Sequence, residues 1–212
     1  LESVLMGITM VISVILALGI FMVLPFFLTN LMKGFLPSYS IRTLIEGIIR
    51  VALFLIYIWL ISKMEDIKRV FMYHGAEHKT INCLEHGEDL TPENIKKYSR
   101  LHKRCGTSFL LIVMIVSIVV FMFIRVDSLV WKFVLRILLV PVVAGISYEF
   151  IRLAGRSDSK IVNTLSKPGL YLQYFTTREP DEEMMEVAIK AVEGVFFFFV
   201  YLRAMHNGEL ED

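Results

Sequence analysis

The chain has 212 residues, of which 56% are hydrophobic, 20% are charged and sixteen are Phe. This composition is far more apolar than that of a water-soluble domain and indicates an integral membrane protein. The formal net charge of +1 at pH 7 provides no dominant basic surface, so we expect no nucleic-acid partner.

Four apolar runs are long enough to cross a bilayer, because about 30 Å of hydrocarbon requires roughly 20 helical residues. They cover approximately residues 4–28, 41–62, 107–124 and 129–153. The second run carries Glu46 and Arg50 in the i, i+4 order that lets two charges pair, and we favour a structural ion pair there over a transport pathway. We therefore predict an all-α membrane protein with four transmembrane helices, forming one domain over residues 1–212.

The distribution of basic residues predicts the orientation. The connection at residues 63–106 contains nine Lys and Arg residues, whereas only two, Lys33 and Arg42, lie in or at the edge of the link between the first two spans. By the positive-inside rule this connection is a cytoplasmic helical segment, and both chain termini are cytoplasmic. Cys83 and Cys105 both fall in this connection, where thiols stay reduced, so we expect no disulfide.

Residues 154–212 are predicted to form a C-terminal cytoplasmic or interfacial segment. The stretch KPGLYLQYFTTREP, residues 167–180, indicates a loop, and the three acidic residues after Pro180 mark the start of an amphipathic helix. The uncharged run 195–202 is too short to span a membrane, so we expect it on the membrane surface or against another subunit. Membrane lipids are the expected partners, and the sequence is compatible with a homo-oligomer.

The segment YHGAEHKTINCLEHG, residues 73–87, contains three of the five histidines of the chain. His74 and His78 are four residues apart and would share one face of a helix. HGAEH also fits the H-x-x-E-H pattern of inverted zincins, in which two His bind zinc and the Glu, here Glu77, activates the metal-bound water. A hydrogen-bonded polar cap at the membrane boundary is the alternative that this short motif leaves open.

Further potential ligands are predicted at the same membrane depth. His102 and Cys105 lie three residues apart at the entry to the third span, and Glu149 lies at the cytoplasmic end of the fourth. We predict a site for zinc or another divalent metal with the ligands His74, His78, His102, Cys105 and Glu149.

Other residues are predicted to support this site. Asn82 and Glu85 continue the histidine face and would hold the second ring nitrogens of the histidines. Arg178, in TTREP, is expected first in a turn and second as a contact for an anion or a lipid headgroup. For Cys105 we favour a ligand or packing role over a nucleophile paired with His102.

Three segments together, VFMYHGAEHKT through KRCGTS, GISYEFIRLAGR and PGLYLQYFTTREP, resemble the YqhQ family of bacterial integral membrane proteins. The resemblance covers about residues 67–193 and implies a multi-pass protein of the bacterial inner membrane. The family is often labelled a metal-dependent enzyme, without an established reaction. Its members usually begin with a soluble Gly-rich segment, so we expect a further segment before Leu1.

The functional prediction follows from the motif and its placement. We predict a divalent-metal site at the cytoplasmic face that hydrolyses a membrane-associated peptide or lipid, with Glu77 as the catalytic general base. The alternative is a non-enzymatic scaffold, insertion factor or lipid carrier in which the polar cluster is structural.

Overall fold

The computed structural model describes residues 2–36, 38–126, 128–157 and 159–206. Every regular element in these ranges is a helix, which confirms the predicted all-α class. The elements in chain order are α1 Glu2–Leu18, a π-helical turn Gly19–Val23, α2 Leu24–Leu31, α3 Tyr39–Ile61, α4 Glu65–Glu85, α5 Pro92–Lys96, α6 Gly106–Phe123, α7 Leu129–Leu138, α8 Val140–Arg156, α9 Lys160–Thr176 and α10 Glu182–His206. The end of the predicted C-terminal segment, residues 207–212, lies outside the described residues.

Three helical stretches are long and apolar enough to cross a membrane: Glu2–Leu31, Tyr39–Ile61 and Gly106–Phe123. They correspond to the first three predicted spans. The first combines α1, the π-helical turn and α2. Hydropathy located these helices well because each is a long, predominantly apolar run.

The predicted fourth span is not one straight helix. Its two parts, Val130–Leu138 and Val140–Arg156, are bent by 42° relative to each other. Pro141 lies in the first turn of α8, where its missing N–H is tolerated, whereas inside a continuous helix its ring would clash with the carbonyl of Ile137. The described chain therefore has three candidate spans, or four if the bent pair is one span.

The described chain forms two compact units, and the first contains the residues up to Leu60 together with Lys103–Leu172. Within it, α6 packs against α8. A side chain at Gly47 of α3 would overlap that of Ile118 of α6, so these two helices also approach each other closely. Small residues permit such close packing between apolar helices.

Glu46 is a buried acid of this first unit, with 2% of its side chain exposed. The predicted pair is confirmed, because Arg50 Nη2 lies 3.0 Å from Glu46 Oε1. Two further cations approach the same carboxylate: Arg136 Nη2 lies 2.6 Å from Oε1 and Lys132 Nζ lies 3.3 Å from Oε2. Arg50 also donates through Nε to the carbonyl oxygen of Phe21, at 2.9 Å.

The second unit contains Ile61–His102 and the chain from Gln173 onwards. Its α4 packs against α10, and α5 contacts both helices. The buried apolar side chains of this unit are Ala76, Cys83, Ile95, Met184 and Met185. Asp181 Oδ1 accepts a hydrogen bond from the N–H of Met184, at 2.9 Å, and so caps the start of α10.

The predicted loop at 167–180 is wrong for residues 167–176, because α9 continues to Thr176 with Pro168 inside it. A proline in a helix removes one hydrogen bond and strains the preceding turn. The following turns are nevertheless fixed by burial, since Leu172, Gln173 and Thr176 are each no more than 2% exposed. Tertiary packing therefore overrides the local signal of Lys-Pro-Gly.

Candidate metal centre

The two motif histidines lie on adjacent turns of α4. This helix begins with Glu65 and Asp66, acids that interact favourably with its N-terminal dipole. His74 and His78 are four residues apart, and their ring centroids are separated by 4.3 Å. Such a distance places two imidazoles side by side, as the predicted helical spacing requires.

Both rings are oriented by main-chain carbonyl groups. His74 Nδ1 lies 2.8 Å from the carbonyl oxygen of Thr176, and His78 Nδ1 lies 2.7 Å from that of Arg100. A carbonyl oxygen can only accept a hydrogen bond, so each Nδ1 must carry the proton and donate it. In the neutral ring the lone pair then resides on Nε2. This tautomer and this fixed orientation are typical of histidines that bind a metal through Nε2.

Cys105 is the third predicted ligand; it belongs to the first unit, whereas His74 and His78 belong to the second. Cys105 is buried at the N-cap of α6, and its sulfur lies 3.1 Å from Thr107 Oγ1.

His102 lies beside His78 and contacts a carboxylate. Its ring centroid is 5.8 Å from that of His78, and its Nε2 lies 3.3 Å from Glu85 Oε1. The main chain of His102 is held by Gln173, which is completely buried: His102 N donates to Gln173 Oε1 and Gln173 Nε2 donates to His102 O, each at 2.8 Å. The structure therefore fixes the main chain of His102 beside the ring of His78.

Two of the predicted site residues, Glu77 and Glu149, are exposed. Glu149 is exposed, and its Oε1 pairs with Arg152 Nη1 at 3.2 Å. Glu77 is also exposed and lines an apolar groove of about 480 Å³, together with Tyr73, Ile81, Leu84, Val187 and Ala191.

A family model described as "Protein of unknown function (DUF1385)" matches residues 1–197. The chain belongs to this family. It is also 41% identical over 182 residues to "Uncharacterized protein YqhQ" of Bacillus subtilis (strain 168), in an alignment that covers 85% of this chain and 57% of that protein. The chain thus spans little more than half the length of this relative. No solved structure matches it.

These matches confirm the predicted YqhQ-like family, and neither description names a reaction. Among the predicted supporting residues, Glu85 contacts a histidine nitrogen, His102 Nε2, at 3.3 Å, whereas Asn82 and Arg178 contact main-chain carbonyl oxygens. Asn82 Nδ2 donates to the carbonyl oxygens of Ser99 and Leu101, at 2.7 and 3.1 Å, and so fixes the loop before His102. Arg178 Nη2 lies 3.4 Å from the carbonyl oxygen of Ser62.

The groups that orient His74 and His78 escaped the sequence analysis. They are main-chain carbonyls of Arg100 and Thr176, and every residue carries such a group, so no sequence signal identifies them. Gln173 could have been found. It is the single amide in the otherwise apolar and aromatic run LYLQYF, and such a residue inside a buried helix face needs a specific partner.

Cys83 lies in the core of the second unit and differs from Cys105. Its thiol is fully buried and lies 3.7 Å from the carbonyl oxygen of Asp89. Burial raises the pKa of the Cys83 thiol above its ordinary range, and Glu88 adds to the effect. The nucleophilic thiolate is therefore scarce at neutral pH.

Alkylation measures this directly. In a Cys105→Ser chain, Cys83 is the sole thiol, and iodoacetamide is expected to modify it at least about tenfold more slowly in the native than in the denatured chain. The native rate should still rise with pH above the ordinary thiol range, because the pKa is raised. Mass spectrometry of timed samples gives both rates, and equal rates in the two states would contradict the buried placement.

Proposed function

We propose that this chain is an integral membrane protein that binds a zinc ion through His74, His78 and Cys105. One observation carries the proposal: both histidine rings donate Nδ1–H to main-chain carbonyl oxygens, at 2.8 and 2.7 Å, which leaves the Nε2 lone pairs as metal ligands. Two imidazoles and a thiolate bind zinc in preference to magnesium or calcium.

Membrane insertion is supported by the three or four apolar helical stretches. The excess of Lys and Arg in residues 63–106 supports a cytoplasmic location for α4 and α5 and for both termini. We therefore propose a multi-pass protein of the bacterial inner membrane with the zinc site near its cytoplasmic face. Membrane lipids are its proposed partners.

The proposed reaction is hydrolysis of a membrane-associated peptide or lipid. Three protein ligands leave the fourth tetrahedral position for water, as in catalytic zinc sites, and bound zinc lowers the pKa of that water. Glu77 is the proposed general base. It lines the apolar groove of about 480 Å³, which has room for an apolar part of such a substrate.

Metal analysis of purified variants tests zinc binding. The wild-type chain, reloaded with zinc and desalted, is expected to retain about one equivalent, and His74→Ala and His78→Ala should each lose most of it. His86→Ala is the matched control, because His86 is an exposed histidine at the C-cap of α4, and its Nδ1 contacts the carbonyl oxygen of Asn82 at 2.7 Å. Equal zinc in wild type, His74→Ala and His86→Ala would overturn the proposal.

Cobalt substitution tests the sulfur ligand. Cobalt bound to a thiolate gives a charge-transfer absorption, which should be present in the wild-type chain and absent from Cys105→Ser. The Cys83→Ser chain is the control, since its thiol lies in the apolar core of the second unit. A spectrum that survives Cys105→Ser would assign the metal to other ligands.

A structural role for the same ion is the second candidate function. The exposure of Glu77 favours it, because a general base must reach the metal-bound water. Glu77→Gln separates the two candidates with quenched apolar peptides and phospholipid vesicles as probes. Hydrolysis by the zinc-loaded wild type that is lost in Glu77→Gln, with zinc retained, supports the enzyme. Zinc without hydrolysis of either probe supports the scaffold.

A further inference from the structure

The first unit contains a small polar cavity of about 110 Å³, separate from the histidine group. It lies where the end of α2, the start of α3 and the first turns of α7 meet. The charged and amide residues that line it are Asn30, Lys33, Arg42, Glu46 and Lys132. A cavity of this size is about the volume of four water molecules, at about 30 Å³ each.

Positive charge exceeds negative charge around this cavity. Glu46 is the acid among its lining residues, and its carboxylate already contacts Arg50, Lys132 and Arg136 within 3.3 Å. One negative charge therefore faces three positive charges in an apolar, largely buried setting. Unbalanced charge in such a setting is costly unless a counter-ion is bound.

Two more cations line the same cavity. Lys33 and Arg42 have no carboxylate within 4.0 Å in the portion of the chain that the structure describes. Arg42 lies one turn before Glu46 on α3 and is half-buried, so its guanidinium is only partly solvated. Three cations thus converge on one cavity, of which Lys132 alone contacts an acid.

We propose that this cavity binds a phosphate group, carried by a phospholipid headgroup or by a small soluble phosphate ester. A guanidinium binds phosphate oxygens in pairs, and ammonium groups add charge without demanding a fixed geometry. The Asn30 amide adds a neutral donor. The volume of about 110 Å³ admits a single phosphate group.

Binding to the full chain tests the proposal and distinguishes the two sources. Delipidated protein in detergent is titrated with short-chain phosphatidylglycerol in one arm and with glycerol phosphate in the other, and adducts are counted by native mass spectrometry. Saturable adducts in the first arm alone identify a lipid headgroup, and adducts in both arms identify a site open to soluble esters. In either case the double variant Lys33→Gln/Arg42→Gln should bind about tenfold or more weakly.

Arg125→Gln is the matched control, because Arg125 is an exposed cation next to Val126 of the cavity but does not line it. Its affinity should equal that of the wild type. The single variant Lys33→Gln removes an exposed side chain, and its thermal midpoint without ligand shows whether it folds normally. No saturable adduct in either arm, or equal affinity in the wild type and a folded Lys33→Gln/Arg42→Gln chain, overturns the phosphate site.

Discussion

Replacing Glu46 with Gln is expected to destabilise the chain by about 3–5 kcal/mol, the largest effect that we predict for a single side chain. The Glu46 carboxylate is 2% exposed and lies between Arg50 Nη2 at 3.0 Å and Arg136 Nη2 at 2.6 Å. The neutral amide leaves these cations, and Lys132, without their counter-charge. The free energy of unfolding in detergent, from denaturant titration, measures the loss.

Two further variants check the cause. Glu65→Gln removes an acid that also pairs with a cation, Lys68, at 2.6 Å, but whose side chain is 85% exposed, so it should cost less than about 1 kcal/mol. Arg136→Met placed on Glu46→Gln should recover part of the loss, because it removes one of the unpaired charges. If Glu46→Gln and Glu65→Gln cost the same, the buried carboxylate does not hold these helices together.

The position of a residue along its helix was predictable from the sequence, but the direction of its side chain around the helix was less so. The Glu46–Arg50 pair was found because both partners lie on one helix, four residues apart. Lys132 and Arg136 join it only through the packing of α7, which hydropathy does not report. In the same way, Glu149 was placed at a suitable depth, yet its carboxylate is exposed and contacts Arg152.

The helical angle explains the outcome for the HGAEH motif. Successive residues of an α-helix are rotated by about 100°, so His74 and His78 share a face while Glu77 and His78 diverge. His74 and His78 indeed lie together, with centroids 4.3 Å apart, and Glu77 lines the neighbouring groove with Tyr73 and Ile81. Local periodicity predicted the histidine pair, whereas the carbonyl groups that orient the rings required the tertiary structure.

The approach of the main chain to Gly75 decides the second large effect. A Cβ atom at this position would overlap the carbonyl oxygen of Arg178. The Arg178 N–H also donates to the carbonyl oxygen of Phe71, at 2.8 Å, so the main-chain segment at Arg178 lies directly against α4. Thr176, two residues earlier, supplies the carbonyl oxygen that holds His74 Nδ1. Any shift that relieves the overlap therefore moves the segment that orients His74.

Gly75→Ala is accordingly expected to destabilise the chain by about 1–3 kcal/mol and to weaken zinc binding about 10- to 100-fold. Denaturant titration and zinc competition with a chelator give the two values. Gly194→Ala is the matched control within the second unit, because Gly194 lies in α10 with nothing within 4 Å of its added Cβ. That change should leave zinc affinity unaltered and stabilise the helix slightly, since Ala favours a helix over Gly. Loss of stability with unchanged zinc affinity in Gly75→Ala would show that the Thr176 carbonyl does not orient His74 for the metal.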